Sequence, residues 1–237
     1  MPFKFRFRWF PFVAALVVAA IGFSLGQWQT RRAVEKEVIE SKLTERGSAP
    51  PLSLTSRMPP IDDIEYRRVR VKGEFDAAWP VYLDNRPHAG AAGFYVLMPL
   101  KIAGSDMHVM VARGWIARNV ADRTKLPAIP IPTGTIELEG IARRSPGQVL
   151  QLGQPAPLRP GAIVQNLDIP EFAQASGLSL QPFIIEQSTD VRDGLTRDWP
   201  RPSTGVDKHR GYAFQWYALA ATALIFFIVT GFRSGRK

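Results

Sequence analysis

No cysteine occurs in the 237 residues. In an oxidising compartment that removes disulfide staples, and it also removes thiolate nucleophiles, iron–sulfur ligation and thiol-based copper delivery. Histidine is scarce too: His88, His108 and His209 are scattered without metal-ligand spacing, so no zinc site is expected. The sequence lacks a G-x-S-x-G elbow, a Walker or dinucleotide glycine loop and an H-E-x-x-H helix. Triad members meet only in space, so spacing is silent about them. No residue pattern supports an enzyme, and none is expected.

Charge is missing from two stretches, and acidic charge from both ends. Twenty-two uncharged residues, Trp9 to Thr30, lie between Arg8 and Arg31, and another 22 lie between Arg210 and Arg233. A helix of that length covers about 33 Å, enough for the hydrocarbon core of a bilayer. Residues 9–30 and 211–232 are therefore expected to be transmembrane helices. The alternative for the first is a cleaved signal peptide, since Lys4, Arg6 and Arg8 precede an apolar run of suitable size. The full-length uncharged run, its poor cleavage candidate Ser24-Leu25-Gly26 and the following Trp28, Arg31 and Arg32 favour a retained span. All 21 acidic residues lie between Arg31 and Arg210, where 24 basic residues leave a balance of only +3 out of the total +9. The high pI is thus mostly a topology signal and gives little support to nucleic-acid binding. Residues 1–8 and 233–237 form short basic tails that should stay cytoplasmic, which puts residues 31–210 outside, in a periplasm or intermembrane space.

That outer segment is long enough for one domain with its own core. Residues 31–46 read as a helix continuing outward, with Val34, Val38, Ile39 and Leu43 on one side and Gly47 to end it. Ser48 to Pro60, with four prolines, reads as a linker. From Glu65 the period becomes two: Val69, Val71 and Phe75 alternate with Arg68, Arg70, Lys72 and Glu74. Further strands are expected at Val81 to Leu83, Phe94 to Leu100, His108 to Ile116, Ile136 to Ala142 and Phe183 to Glu186. Asp84 to Gly90 is rich in turn formers. Ile169 to Ala175, with Pro170 early and Gly177 just beyond, is the one good internal helix. Eighteen prolines in these 180 residues suit short strands and long connections. The expected fold class is a membrane protein with two terminal transmembrane α-helices flanking a β-rich, α+β extracytoplasmic domain.

Six short stretches, in order and register from end to end, then carry a resemblance. They are Leu25-Gly26-Gln27-Trp28-Gln29-Thr30-Arg31-Arg32; Asn85-Arg86; Gly93 with Pro99-Leu100; Arg113-Gly114-Trp115; Glu139-Gly140; and His209-Arg210-Gly211-Tyr212 with Gln215-Trp216-Tyr217. Together they resemble the surfeit locus protein 1 family. One departure is Ala112, where the family often has Asn. The resemblance implies a biogenesis factor for haem-copper cytochrome c oxidase, associated with haem a and its insertion into the catalytic subunit. It implies that subunit and haem a synthase as partners, and a bacterial inner membrane location with the large domain periplasmic. It also implies that His209 is the haem contact.

Physical chemistry of the residues adds to this. In a helix His209, Tyr212 and Trp216 fall at i, i+3 and i+7, on one face. Trp28 at the mouth of the other span would supply a facing wall, with Arg31, Arg32 or Arg210 near the propionates. The alternative is an interfacial histidine among ordinary aromatic belt anchors. His88 reads as a solvated loop residue. In Met107-His108-Val109-Met110 a soft-metal site competes with the simpler reading of a packed strand. Asn85, Arg86, Arg113 and Trp115 either form a recognition surface for the oxidase subunit or serve structure, through an Arg–carboxylate pair, a close approach at Gly114 and a core Trp. Two functional classes remain: a haem a-binding transfer factor, and a cofactor-free scaffold holding an oxidase assembly intermediate.

Overall fold

The computed structural model of the chain describes residues 5–57, 59–122, 124–151, 153–200 and 205–234. It divides into two compact units, one of Met1–Lys42 with Pro202–Lys237 and one of Leu43–Arg201. The first is built from α1 (Trp9–Ser48), as far as Lys42, and α4 (Val206–Ser234). Both helices are long and apolar enough to cross a membrane. Pro11 lies in the first turn of α1, where its missing N–H costs nothing, and α1 runs on unbroken through the change from apolar to charged residues at Arg31. Val13, Val17, Ile21 and Phe23 on α1 and Leu219, Ile225, Phe226 and Val229 on α4 point outward and exposed. Such apolar surface suits a lipid environment.

The second unit contains β1 (Leu52–Ser53), α2 (Ile61–Ile64), β2 (Arg68–Phe75), β3 (Val81–Leu83), β4 (Gly93–Ile102), β5 (Met107–Ala117), β6 (Ile136–Arg143), β7 (Ala162–Val164), α3 (Ile169–Ser176) and β8 (Ser179–Gln187). Strand order is β1-β2-β6-β8-β5-β4-β3-β7, and β2 also pairs with β4. That extra pairing closes the circuit β2-β4-β5-β8-β6 into a five-stranded barrel. All its pairs are antiparallel except β5 with β8. The connectivity is that of a Greek-key barrel of the OB type. Every barrel strand sends alternate residues inward, among them Val69, Val71 and Phe75, Leu100, Val109, Leu138, and Phe183 with Ile185. A second core lies on the outer face of β4, β5 and β8, where Leu97, Met110 and Ile184 meet β3, β7 and Phe172 of α3. β4 and β5 are therefore buried on both faces and read as almost continuous apolar runs.

Local chemistry explains the element ends. Asp168 caps α3 by accepting from the Glu171 N–H at 2.9 Å, and Gly177 ends it at φ 71°. Pro182 interrupts a buried strand, and it falls where the β5–β8 register shifts, so its missing N–H leaves no gap in a regular ladder. Pro99 faces the turn after β2, and its carbonyl accepts from Asp76. The expected linker between Ser48 and Pro60 contains a short strand: β1 runs parallel to β2, Leu52 opposite Val69. β7 and α2, three and four residues long, are also additions to the elements expected from the sequence.

Candidate functional site

In the helical unit a stripe of small residues sets the geometry. Ala15, Gly22, Gly26 and Ala33 are the buried residues of α1, and Val206, Ala213 and Ala220 are buried on α4, at spacings of seven or four. The helices run antiparallel, since Gly22 meets Trp216 and Ala220, Gly26 meets Tyr217, and Gly231 meets Phe5. Gly22 and Gly26 make a G-x-x-x-G pair of the kind that lets helix backbones approach closely. A Cβ on Gly22 would stand 2.9 Å from the Trp216 carbonyl oxygen, and one on Gly26 would stand 2.5 Å from the Tyr217 ring. The Thr30 hydroxyl donates to the Gly26 carbonyl at 2.9 Å and lies 3.4 Å from the Tyr217 hydroxyl.

This packing sets His209 against Gln29, with Nδ1 2.7 Å from the Gln29 amide oxygen. An amide oxygen can only accept, so Nδ1 carries a proton, and in the neutral ring the lone pair is on Nε2. A carbonyl-type acceptor behind one ring nitrogen is the usual support of an imidazole that ligates metal through the other. Among the described residues no three His, Cys, Asp or Glu side chains converge as a metal site. A lone histidine of this kind suits an iron whose other ligands come with the group itself.

The predicted companions of His209 are in the same unit. Tyr212 is exposed, Trp216 half-buried and Trp28 46% exposed. Arg32 pairs with Glu35 at 2.8 Å and its guanidinium carbon lies 6.0 Å from the Trp28 ring centroid. Arg210 pairs with Glu37 at 2.7 Å. Arg31 is exposed and forms no ion pair among the described residues. Gln29, Thr30 and Tyr217 gained no role from sequence reasoning, although all three stand within the stretches that carried the resemblance.

The β-unit holds the other singled-out residues. β5 carries one extra residue, Arg113, opposite the Val96–Leu97 step of β4. The bulge turns the Arg113 side chain toward the barrel interior, 4.9 Å from the Phe75 ring centroid and fully buried. There Nη2 donates to Asp193 at 2.9 Å and to the Pro130 carbonyl at 2.8 Å. Arg197 reaches the same carboxylate through Nη2 at 2.8 and 2.7 Å. Burial pushes the Arg113 guanidinium below its ordinary range, and the Asp193 charge pushes it back. A Cβ on Gly114 would come within 2.6 Å of Leu195, so glycine admits the segment that carries Asp193. The half-buried Trp115 donates from Nε1 to the Arg86 carbonyl at 2.6 Å. Asn85, at φ 60°, is exposed, whereas Arg86 is buried. Asp193 carried no signal in the sequence that marked it as the partner of two arginines.

Comparison with known proteins gives a consistent result. The pattern described as the SURF1 family matches residues 16–221. The chain is 27% identical over 221 residues to a SURF1-like protein of Rickettsia bellii, covering 91% of this chain and 88% of that protein. It is 26% identical over 240 residues to a SURF1-like protein of Monosiga brevicollis, covering 94% and 88%. It is 26% identical over 237 residues to Surfeit locus protein 1 of Rattus norvegicus, covering 93% and 74%.

Proposed function

The chain belongs to the SURF1 family, and on that premise we propose that it is a membrane-anchored biogenesis factor for haem-copper cytochrome c oxidase, binding haem a and assisting its insertion into the catalytic subunit. The observation that carries the reading is the Gln29–His209 pair, in which Nδ1–H donates to the Gln29 amide oxygen and Nε2 is left as the nitrogen that could ligate. Haem would bring most of the iron's ligands with it, so His209 alone would be enough to hold it where a bare ion would need several protein ligands. Trp28, Tyr212 and Trp216 would supply aromatic surface for the macrocycle, and Arg31, which forms no ion pair among the described residues, would be the cation left to meet a propionate. Arg32 and Arg210 already share their charge with Glu35 and Glu37. In this reading both basic tails are cytoplasmic in the bacterial inner membrane and the β-unit is periplasmic. The partners are the oxidase catalytic subunit and haem a synthase, and the protein acts as a carrier rather than a catalyst.

The test is an optical spectrum of the detergent-purified protein from a host that makes haem a, comparing wild type, His209→Ala and Gln29→Leu at matched concentration. Near-stoichiometric haem a in wild type, lost in His209→Ala and reduced in Gln29→Leu, is expected. Equal haem in wild type and His209→Ala would remove His209 as the anchor. No haem in any, with an oxidase subunit still co-purifying, would make the cofactor-free scaffold the better account.

A further inference from the structure

The β-unit contains two buried arginines in contrasting circumstances. Arg113 has its counter-ion. Arg86, 6% exposed, forms no ion pair among the described residues. Its Nη2 donates to the Gly147 and Gln165 carbonyls at 3.1 Å each, and the guanidinium carbon lies 5.6 Å from the Tyr95 ring centroid. Its Nε is buried with no hydrogen-bond partner. A buried charge in that condition is costly unless something neutralises it. Burial accordingly lowers the guanidinium from its ordinary range, and Tyr95 and then Asp84 compensate only in part.

Arg86 borders an open cavity of about 270 Å³ whose wall also includes Asp84, Asn85, Arg118 and Gln165. Asp84 lies 4.0 Å from Arg118, and its negative charge also acts on Arg86. Among the described residues the lining thus offers two guanidiniums against one carboxylate. The Gln165 amide oxygen is buried without a hydrogen-bond partner, and turning the terminal amide over would present an NH2 donor instead. The backbone around Arg86 is already fixed: its N–H donates to Gly93, its carbonyl accepts from Trp115, and Asn85 adopts the left-handed conformation. Such a group does not need to be ordered when a ligand arrives.

We propose that this cavity is a carboxylate-binding site in which one carboxylate offsets the charge of Arg86 and is shared with Arg118. The volume suits a single acidic side chain or a small dicarboxylate and is at the lower limit for small-molecule pockets. The site is independent of the haem reading, since it uses none of the residues around His209. It gives the Asn85-Arg86 motif a ligand chemistry, and it gives Trp115 the role of holding the Arg86 backbone in place.

The full chain, labelled with 15N-arginine in detergent, tests this through the Nε–H resonance of Arg86, assigned by its disappearance in Arg86→Lys. Two probes are titrated separately: succinate, and a Gly-Asp-Gly peptide blocked at both ends. Sodium chloride at matched ionic strength is the control. Saturable movement of the Arg86 Nε–H signal with either probe but not with chloride is expected. Binding should weaken on the order of tenfold in Arg118→Gln, as for loss of one charge-assisted hydrogen bond. A response to the peptide alone points to an acidic segment of a protein, and a response to succinate points to a free small carboxylate. Equal movement with chloride, no movement with either probe, or identical binding in Arg118→Gln would overturn the proposal. Arg118 is partly exposed, so its variant keeps the test open if Arg86→Lys does not fold.

Discussion

Neutralising Asp193 should destabilise the β-unit far more than removing Arg113. Among the described residues Asp193 is the only carboxylate within 3 Å of the Arg113 and Arg197 guanidiniums, and the three side chains are 2%, 0% and 8% exposed respectively. Asp190 also approaches Arg197, at 3.7 Å, but is itself 78% exposed. Asp193→Asn keeps the shape and leaves two enclosed cations without their shared anion. Breaking a buried pair from one side costs about 3–5 kcal/mol, or roughly 6–20 °C in melting temperature for a unit of this size. Arg113→Met is different. It removes a guanidinium whose Nε and Nη1 already lack partners, leaves the Asp193–Arg197 pair intact, and puts an apolar chain beside Phe75. Exchanging a buried charge for a well-packed apolar side chain costs little, about 1.5 kcal/mol or less. Urea unfolding of the full chain in detergent, followed by near-UV circular dichroism, measures both. If Asp193→Asn cost no more than Arg113→Met, the assignment of Asp193 as the anion of this network would be wrong.

Three further outcomes are expected. Burial raises the Glu186 carboxyl above its ordinary value of 4.5, with Arg143 opposing. A group whose folded pKa is raised contributes stability below the unfolded pKa and loses it as pH rises through the folded one. Glu186→Gln should therefore gain on wild type from about pH 4 toward neutrality, and flat relative stability over that range would contradict this. Gly26→Leu drives a side chain into the Tyr217 ring, at about 1–3 kcal/mol of overpacking. It should separate His209 from Gln29, and Gln29→Leu should remove the same contact without the clash. Both should take the His209 ring nitrogens from a single tautomer to a mixture in 15N spectra, and unchanged shifts would show that Gln29 does not fix the ring. Gly93→Ala places its Cβ against the Trp115 ring and the Ile116 carbonyl oxygen across β4 and β5. It should lower the melting temperature of the β-unit and perturb the Trp115–Arg86 hydrogen bond, which the indole N–H signal reports.

The sequence by itself determined the features that depend on local pattern. Charge-free runs of 22 residues are enough to specify two helices of membrane-spanning length. Alternation at Val69, Val71 and Phe75 specified β2, and Asp168, Pro170 and Gly177 marked the ends of α3, because caps act within one turn. Residues Gln29 and His209 could be seen in motifs 180 positions apart, but no periodicity links them. Their contact exists only because glycines at 22 and 26 allow α4 to approach α1. Closure of the barrel also lies beyond local pattern, since β2 meets β4 and β6 through long-range hydrogen bonds between strands. The same holds for β7 and β1, which are too short to show a period and form only where a neighbouring strand offers free backbone groups. Arg86 and Arg113 look alike as letters. Tertiary structure alone decided that the β5 bulge turns one toward an internal carboxylate and that the other, held by loop carbonyls, borders an open cavity. The reason is physical: the state of a buried charge depends on which atoms surround it in space.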